Sequence, residues 1–174
     1  MSTLYVDSIE PKTTGSDISL NGTLAASLSN LPAFSAHIGS GNPGLSANTW
    51  TKIAANTELF DTNNNYDVSN YRFTPTVAGY YKATVHVKLY RGGGQQQFIK
   101  AAAIYKNGSS YKETSLDGDF GYSNNNHHII STAIVYLNGS SDYIEAYAYM
   151  AIAGNIISGG SAGNTFEAFK LIGV

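Results

Sequence analysis

Cysteine is absent from this chain and charge is scarce. The missing thiols exclude disulfides and thiol chemistry, a usage that fits assembly in a reducing cytoplasm. Charged residues make up 13% of the 174 and the formal net charge is −2, which excludes the counterion-driven surface of a nucleic-acid binder and a basic membrane patch. No run of 18 apolar residues occurs, so no membrane insertion is expected, and Met1-Ser2-Thr3-Leu4-Tyr5-Val6-Asp7 has neither the basic start nor the apolar stretch of a signal peptide. What the chain has instead is glycine (18), tyrosine (13) and many asparagines and serines, a turn-rich aromatic composition that predicts an all-β fold.

The clearest local signal lies between Phe73 and Leu89. Pro75 and Gly79 mark a turn, after which Tyr81, Ala83, Val85, Val87 and Leu89 alternate with Lys82, Thr84, His86 and Lys88, the period of a strand with one buried face. Further strands are predicted at Phe34 to Ile38, Trp50 to Ala54, Tyr71 to Thr74, Phe98 to Tyr105, Tyr111 to Leu116, Ile129 to Leu137, Tyr143 to Ile152 and Thr165 to Ile172, with Gly39 to Asn48 and Asp61 to Asn70 as loops. Asn107-Gly108 and Asn138-Gly139 both read as two-residue hairpin turns. About eight strands suit a two-sheet jelly-roll sandwich.

Residues 1–31 differ from the remainder. Their strand-like scraps, Leu4 to Ile9 and Ile18 to Gly22, are too small to own a core, while Leu24, Leu28 and Leu31 recur at the spacing of a short coiled-coil seam ended by Pro32. The division expected is therefore an attachment segment and neck at 1–31 and a head at 32–174.

Antiparallel neighbours alternate in direction, so the tight connections at 75–79, 107–110 and 138–142 share one pole. The longer, glycine-rich and polar ones at 90–97, 117–128 and 153–164 share the other, facing away from the neck. That arrangement suits a head that binds with its tip. The side chains suited to stacking or amide pairing there are Tyr90, Arg91, Gln95, Gln96, Gln97, Phe120, Tyr122, Asn124, Asn125 and Asn126. The strand from Ile129 to Leu137 is apolar on both parities, Ile130, Ile134 and Tyr136 on one and Ile129, Ala133, Val135 and Leu137 on the other. One parity fills the core, and a subunit contact is expected to cover the other. The interface residues expected are Leu24, Leu28, Leu31, Ile129, Val135, Leu137, Tyr147 and Phe169.

The spacing Phe73-x5-Gly79-x-Tyr81-x-Ala83-x-Val85 resembles the core signature of the C1q and tumour necrosis factor superfamily. Pro32-Ala33-Phe34-Ser35-Ala36 looks like the opening strand of C1q heads, and Phe166-Glu167-Ala168-Phe169-Lys170-Leu171-Ile172 is similar to their closing strand. The resemblance implies a homotrimer with apolar faces along its threefold axis. The N-terminal stretches Leu4 to Pro11 and Ile18 to Leu24 look like the short segments of bacteriophage tail-fibre proteins. On this likeness the chain is expected to be a virion tail component, assembled in the host cytoplasm, held by another virion protein through residues 1–31 and attaching to host-surface glycan or protein. The alternatives are a purely structural trimerisation cap of a virion or fibre, and a secreted C1q-like lectin.

Recognisable catalytic machinery is missing: no Ser/His/Asp order, Walker loop, dinucleotide fingerprint or zinc spacing appears, and the protein is expected not to be an enzyme. For metals, Asp117 and Asp119 supply hard oxygens of the kind calcium takes, and His127 sits beside His128, of which only one can aim inward from a strand. No cofactor is otherwise expected.

Overall fold

The computed structural model describes residues 31–41, 43–91, 97–119, 126–156 and 163–172, with the backbone alone at Gln97, Phe98 and Asp119. The chain divides into two compact units, Met1–Asn30 and Leu31–Val174, and the second is the head. Leu24, Leu28, Gln95, Gln96, Phe120, Tyr122, Asn124 and Asn125 lie outside the described residues.

In chain order the strands are β1 (Ala33–His37), β2 (Gly44–Leu45), β3 (Thr51–Lys52), β4 (Thr57–Asp61), β5 (Tyr66–Asp67), β6 (Arg72–Phe73), β7 (Gly79–Tyr90), β8 (Gln97–Lys106), β9 (Ser109–Asp119), β10 (Asn126–Leu137), β11 (Ile144–Met150), β12 (Gly154–Ile156) and β13 (Asn164–Lys170). They form two sheets. One runs β2-β12-β7-β13-β1-β4 with β10 on the other side of β7, and its pairs are all antiparallel. The second runs β5-β6-β11-β8-β9 with β3 on β11. This is the expected all-β jelly-roll sandwich.

β7 is the central element because its alternation holds without a break. Tyr81, Ala83, Val85, Val87 and Leu89 are all fully buried, and Phe166 and Ala168 of the neighbouring β13 point the same way. Aromatic rings fill the core beside them: Phe34 stacks on Tyr66 and Phe73 at 4.5 Å each and meets Phe166 edge-on at 4.9 Å. The Tyr81 hydroxyl donates to the Val77 carbonyl (2.6 Å), so the polar end of this buried ring is satisfied inside the Pro75–Gly79 turn, and burial pushes it up to about 12.

The two Asn-Gly pairs part company. Asn107 (φ 51°) and Gly108 (φ 79°) are both left-handed, as a type I′ turn requires, and they join β8 to β9 as a hairpin. Asn138-Gly139 was expected to do the same but links β10 in one sheet to β11 in the other. The reason is local: the Asn138 Oδ1 accepts from the backbone N–H groups of Ser140, Ser141 and Asp142 at 2.9–3.0 Å, curling the chain over instead of back. Asp142 then accepts from the Asn107 amide (2.8 Å) and pairs with Lys106 (3.0 Å), tying the two turns together. Short strands also appear inside the predicted loops, β2 in Gly39 to Asn48 and β5 in Asp61 to Asn70, and another lies between predicted elements. β4 carries Thr57-Glu58-Leu59-Phe60-Asp61, a mostly exposed edge strand without period-two alternation, which leaves nothing for a pattern reading to find.

Candidate functional site: one pole and two outer faces

Register places the far pole. Asn126 lies opposite Tyr90 in the β10–β7 pair, Asn155 lies opposite Tyr90 in the β12–β7 pair, and Gln97 lies opposite Asp119. Tyr90, Arg91, Gln97 and Asn126 are thus gathered at one end of the sandwich, while the turns at 107–108 and 138–142 sit at the opposite end, where Ile144 pairs with both Lys106 and Phe73. Between the sheets at the far pole a polar pair closes the core. Lys100 is fully buried and its Nζ lies 2.7 Å from His127 Nδ1, which bridges the two sheets. Burial first, and the nearby Arg91 second, bring the Lys100 ammonium down to about 8.

This arrangement separates two of the metal candidates. His127 points inward onto an ammonium, whereas Asp117 sits on the outer side of β9 opposite Ile99, so the two share no centre. Among the described residues no group of three or more His, Cys, Asp or Glu side chains could hold a metal ion.

The outer face of the seven-stranded sheet settles the parity of β10. Ile129, Val135 and Leu137, expected at a subunit contact, belong to the head's own core, with Val135 and Leu137 fully buried. They have no surface to give a partner. The opposite parity is the open one: Ile134 is 58% exposed, and Ile130 and Tyr136 are similarly bare. Tyr136 meets Tyr80 edge-on (5.4 Å), and Phe169 of β13 lies exposed one strand beyond Lys82, which pairs with Ile134. Phe169 is therefore on an open face. Leu31 is half-buried, and its carbonyl accepts from the Thr62 hydroxyl at 3.1 Å.

A histidine pair lies on this same face. His86 Nε2 and His128 Nδ1 are 2.7 Å apart, and the centroid distance of 4.9 Å equals that contact plus two ring radii. The rings therefore meet edge to edge through a hydrogen bond between the two nitrogens. Burial and His128 both hold His86 below the ordinary histidine value, against a smaller opposing pull from Glu167.

The outer face of the six-stranded sheet is of another kind. Tyr147 stacks on Tyr105 at 4.0 Å, Trp50 lies 6.1 Å from Tyr105 and 5.3 Å from Tyr149, and all four are partly buried over Ala101 and Ala103. Glu145, only 2% exposed, anchors one end: its Oε1 accepts from Lys52 Nζ (2.7 Å) and from Arg72 Nε (3.0 Å) and NH2 (2.9 Å). The Arg72 guanidinium also covers the Tyr143 ring at 3.6 Å. Tyr147, expected at the same contact as Phe169, is thus on the opposite side of the sandwich. Sequence reasoning missed Glu145 and Trp50 as site residues.

No protein-family model matches the sequence, and no curated protein matches it. Solved structures do. Murine APRIL at pH 8.5 superposes with a TM-score of 0.59 at 10% identity, covering 81% of this chain and 99% of that one. The head is a C1q/TNF-like jelly roll. Murine APRIL at pH 5.0 gives 0.58 at the same identity and coverage, and the globular domain of zebrafish complement 1qA gives 0.46 at 14% identity over 80% and 97%. The expected bacteriophage identity and virion location are corrected by the match to murine APRIL.

Proposed function

We propose that the chain is a non-enzymatic, homotrimeric recognition head, a C1q-like lectin in kind, with residues 1–31 as its neck. Three copies meet through the outer face of β7, β10 and β13, and the far-pole loops contact a surface glycan or protein. The observation that carries this reading is the set of exposed apolar residues on one outer face, Ile130, Ile134, Tyr136, Tyr80 and Phe169, on a sheet whose inner side is already a complete core. Water-exposed apolar surface of that extent on a folded domain is normally covered by a partner, and a repeated copy covers three such faces at once. Tyr90 and Asn126 at one pole supply a ring and an amide for contact with a ligand.

Sedimentation equilibrium of the full chain tests the assembly: a trimer is expected for the parent and a monomer for Ile134→Asp. A parent that is monomeric at micromolar concentration overturns the reading. For the ligand, binding of the labelled trimer to a glycan array is expected to fall when Tyr90 and Asn126 are both replaced by alanine. A trimer that binds no glycan and no cell-surface protein would be a structural cap.

A further inference from the structure

We propose that the aromatic face of the six-stranded sheet is a separate binding site for a neutral oligosaccharide, whose sugar rings stack on Trp50 and Tyr149. The site is built, not merely apolar. Trp50 and Tyr149 lie 5.3 Å apart, and Asn48 holds its side-chain amide at their edge: its backbone N–H donates to the Met150 carbonyl (2.9 Å), its Oδ1 accepts from the Tyr149 hydroxyl (2.9 Å), and its backbone is left-handed (φ 54°). Tyr147 and Tyr105 continue the row as a stacked pair.

What surrounds the rings selects the occupant. The register sets Lys52, Tyr147, Ala103 and Glu113 in one line across the sheet. Cations on one flank, Lys52 and Arg72, are tied to Glu145, while Glu113 and Asp117 stand exposed on the other. A mixed rim of donors and acceptors around flat rings suits a ligand that has C–H faces and many hydroxyls but no charge. An anionic sugar would meet Glu113 and Asp117. A second copy of the chain is better served by the opposite face, where the exposed residues are the aliphatic Ile130 and Ile134.

Trp50 is the chain's single tryptophan, so its fluorescence reports on this face alone. Titrating the full chain with cellohexaose and with maltohexaose is expected to give a saturable change in that emission with at least one of them, at micromolar to millimolar concentration. Tyr149→Ala should weaken the response roughly tenfold, the loss of one good stacking contact, while Tyr149→Phe keeps the ring and most of the response. The double replacement of Tyr90 and Asn126 at the far pole should leave it unchanged, which separates this site from the pole. No response from the folded parent to either sugar overturns the proposal. So does a response to tetramethylammonium without one to the sugars, since that would make the face a cation site.

Discussion

The two outer faces of this sandwich share a backbone plan and differ in what lies on it. On the seven-stranded sheet Ile130 and Ile134 stand bare among Lys82, Thr84, Thr132 and Glu167, with a hydrogen-bonded histidine pair beside them. The six-stranded sheet carries rings laid over alanines and clamped by an ion-paired carboxylate that is almost wholly buried. A face that satisfies its own polar groups and covers its own small residues is complete without a protein partner. One that leaves Ile134 more than half exposed is not. On the proposed reading, that difference is what separates the subunit face from the ligand face.

Adjacent residues of β10 give the sharpest way to break this contrast. Val135→Asp should prevent folding, at a cost of about 4 kcal/mol or more for an unpaired carboxylate in the core, and should appear as lost near-UV circular dichroism. Ile134→Asp, one residue away, should fold normally and only fail to assemble. If both variants fold alike, the parity assignment is wrong.

On the opposite face, Glu145→Ala should cost about 2 kcal/mol, less than a fully buried pair would because Lys52 and Arg72 are each about one third exposed. Urea unfolding measures it, with assembly unchanged. A loss of the trimer with no loss of stability would mean that this face, and not its opposite, is the subunit contact.

The histidine pair sharpens the comparison through pH. The folded state holds His86 below its ordinary value of 6.5, so the unfolded chain takes the proton more readily. Stability is therefore complete above 6.5 and falls as the pH drops from there toward the lowered folded value. Around the pair stand Lys88 on β7 and Glu167 on β13, the latter softening the effect. Thermal melts at pH 5 and pH 7.5 should differ for the parent and differ less for His86→Gln. The smallest effect expected is from Tyr111→Phe, which removes the hydroxyl donated to the Ile134 carbonyl (3.0 Å) and should cost under about 1 kcal/mol in urea unfolding.

How much of the fold was legible depended on range. The β7 alternation and the Asn107-Gly108 turn are local, and both could be read residue by residue. The grouping of loop ends at two poles followed from antiparallel alternation alone. β10 was ambiguous because both parities are apolar. Each parity also carries one hydroxyl residue in mid-strand, Thr132 outward and Ser131 inward, the latter fully buried with its hydroxyl donated to the Lys112 carbonyl (3.3 Å), so polarity did not separate them. Glu145 reads as a solvent residue in Ile144-Glu145-Ala146. Its burial depends on Lys52 and Arg72, 93 and 73 positions away, and no spacing rule reaches that far. Trp50 was visible only as a strand start, since its ring neighbours come from β8 and β11.

β10 lies at the margin of its sheet, and two of its outward carbonyls are already taken, Ile134 by the Tyr111 hydroxyl and Tyr136 by Lys106 Nζ at 2.8 Å. A foreign strand seeking to extend the ladder there would have to displace a phenol and an ammonium first. This margin of the sheet is therefore closed to main-chain addition. The same two side chains that finish the strand also guard concentrated protein against growing into fibrils.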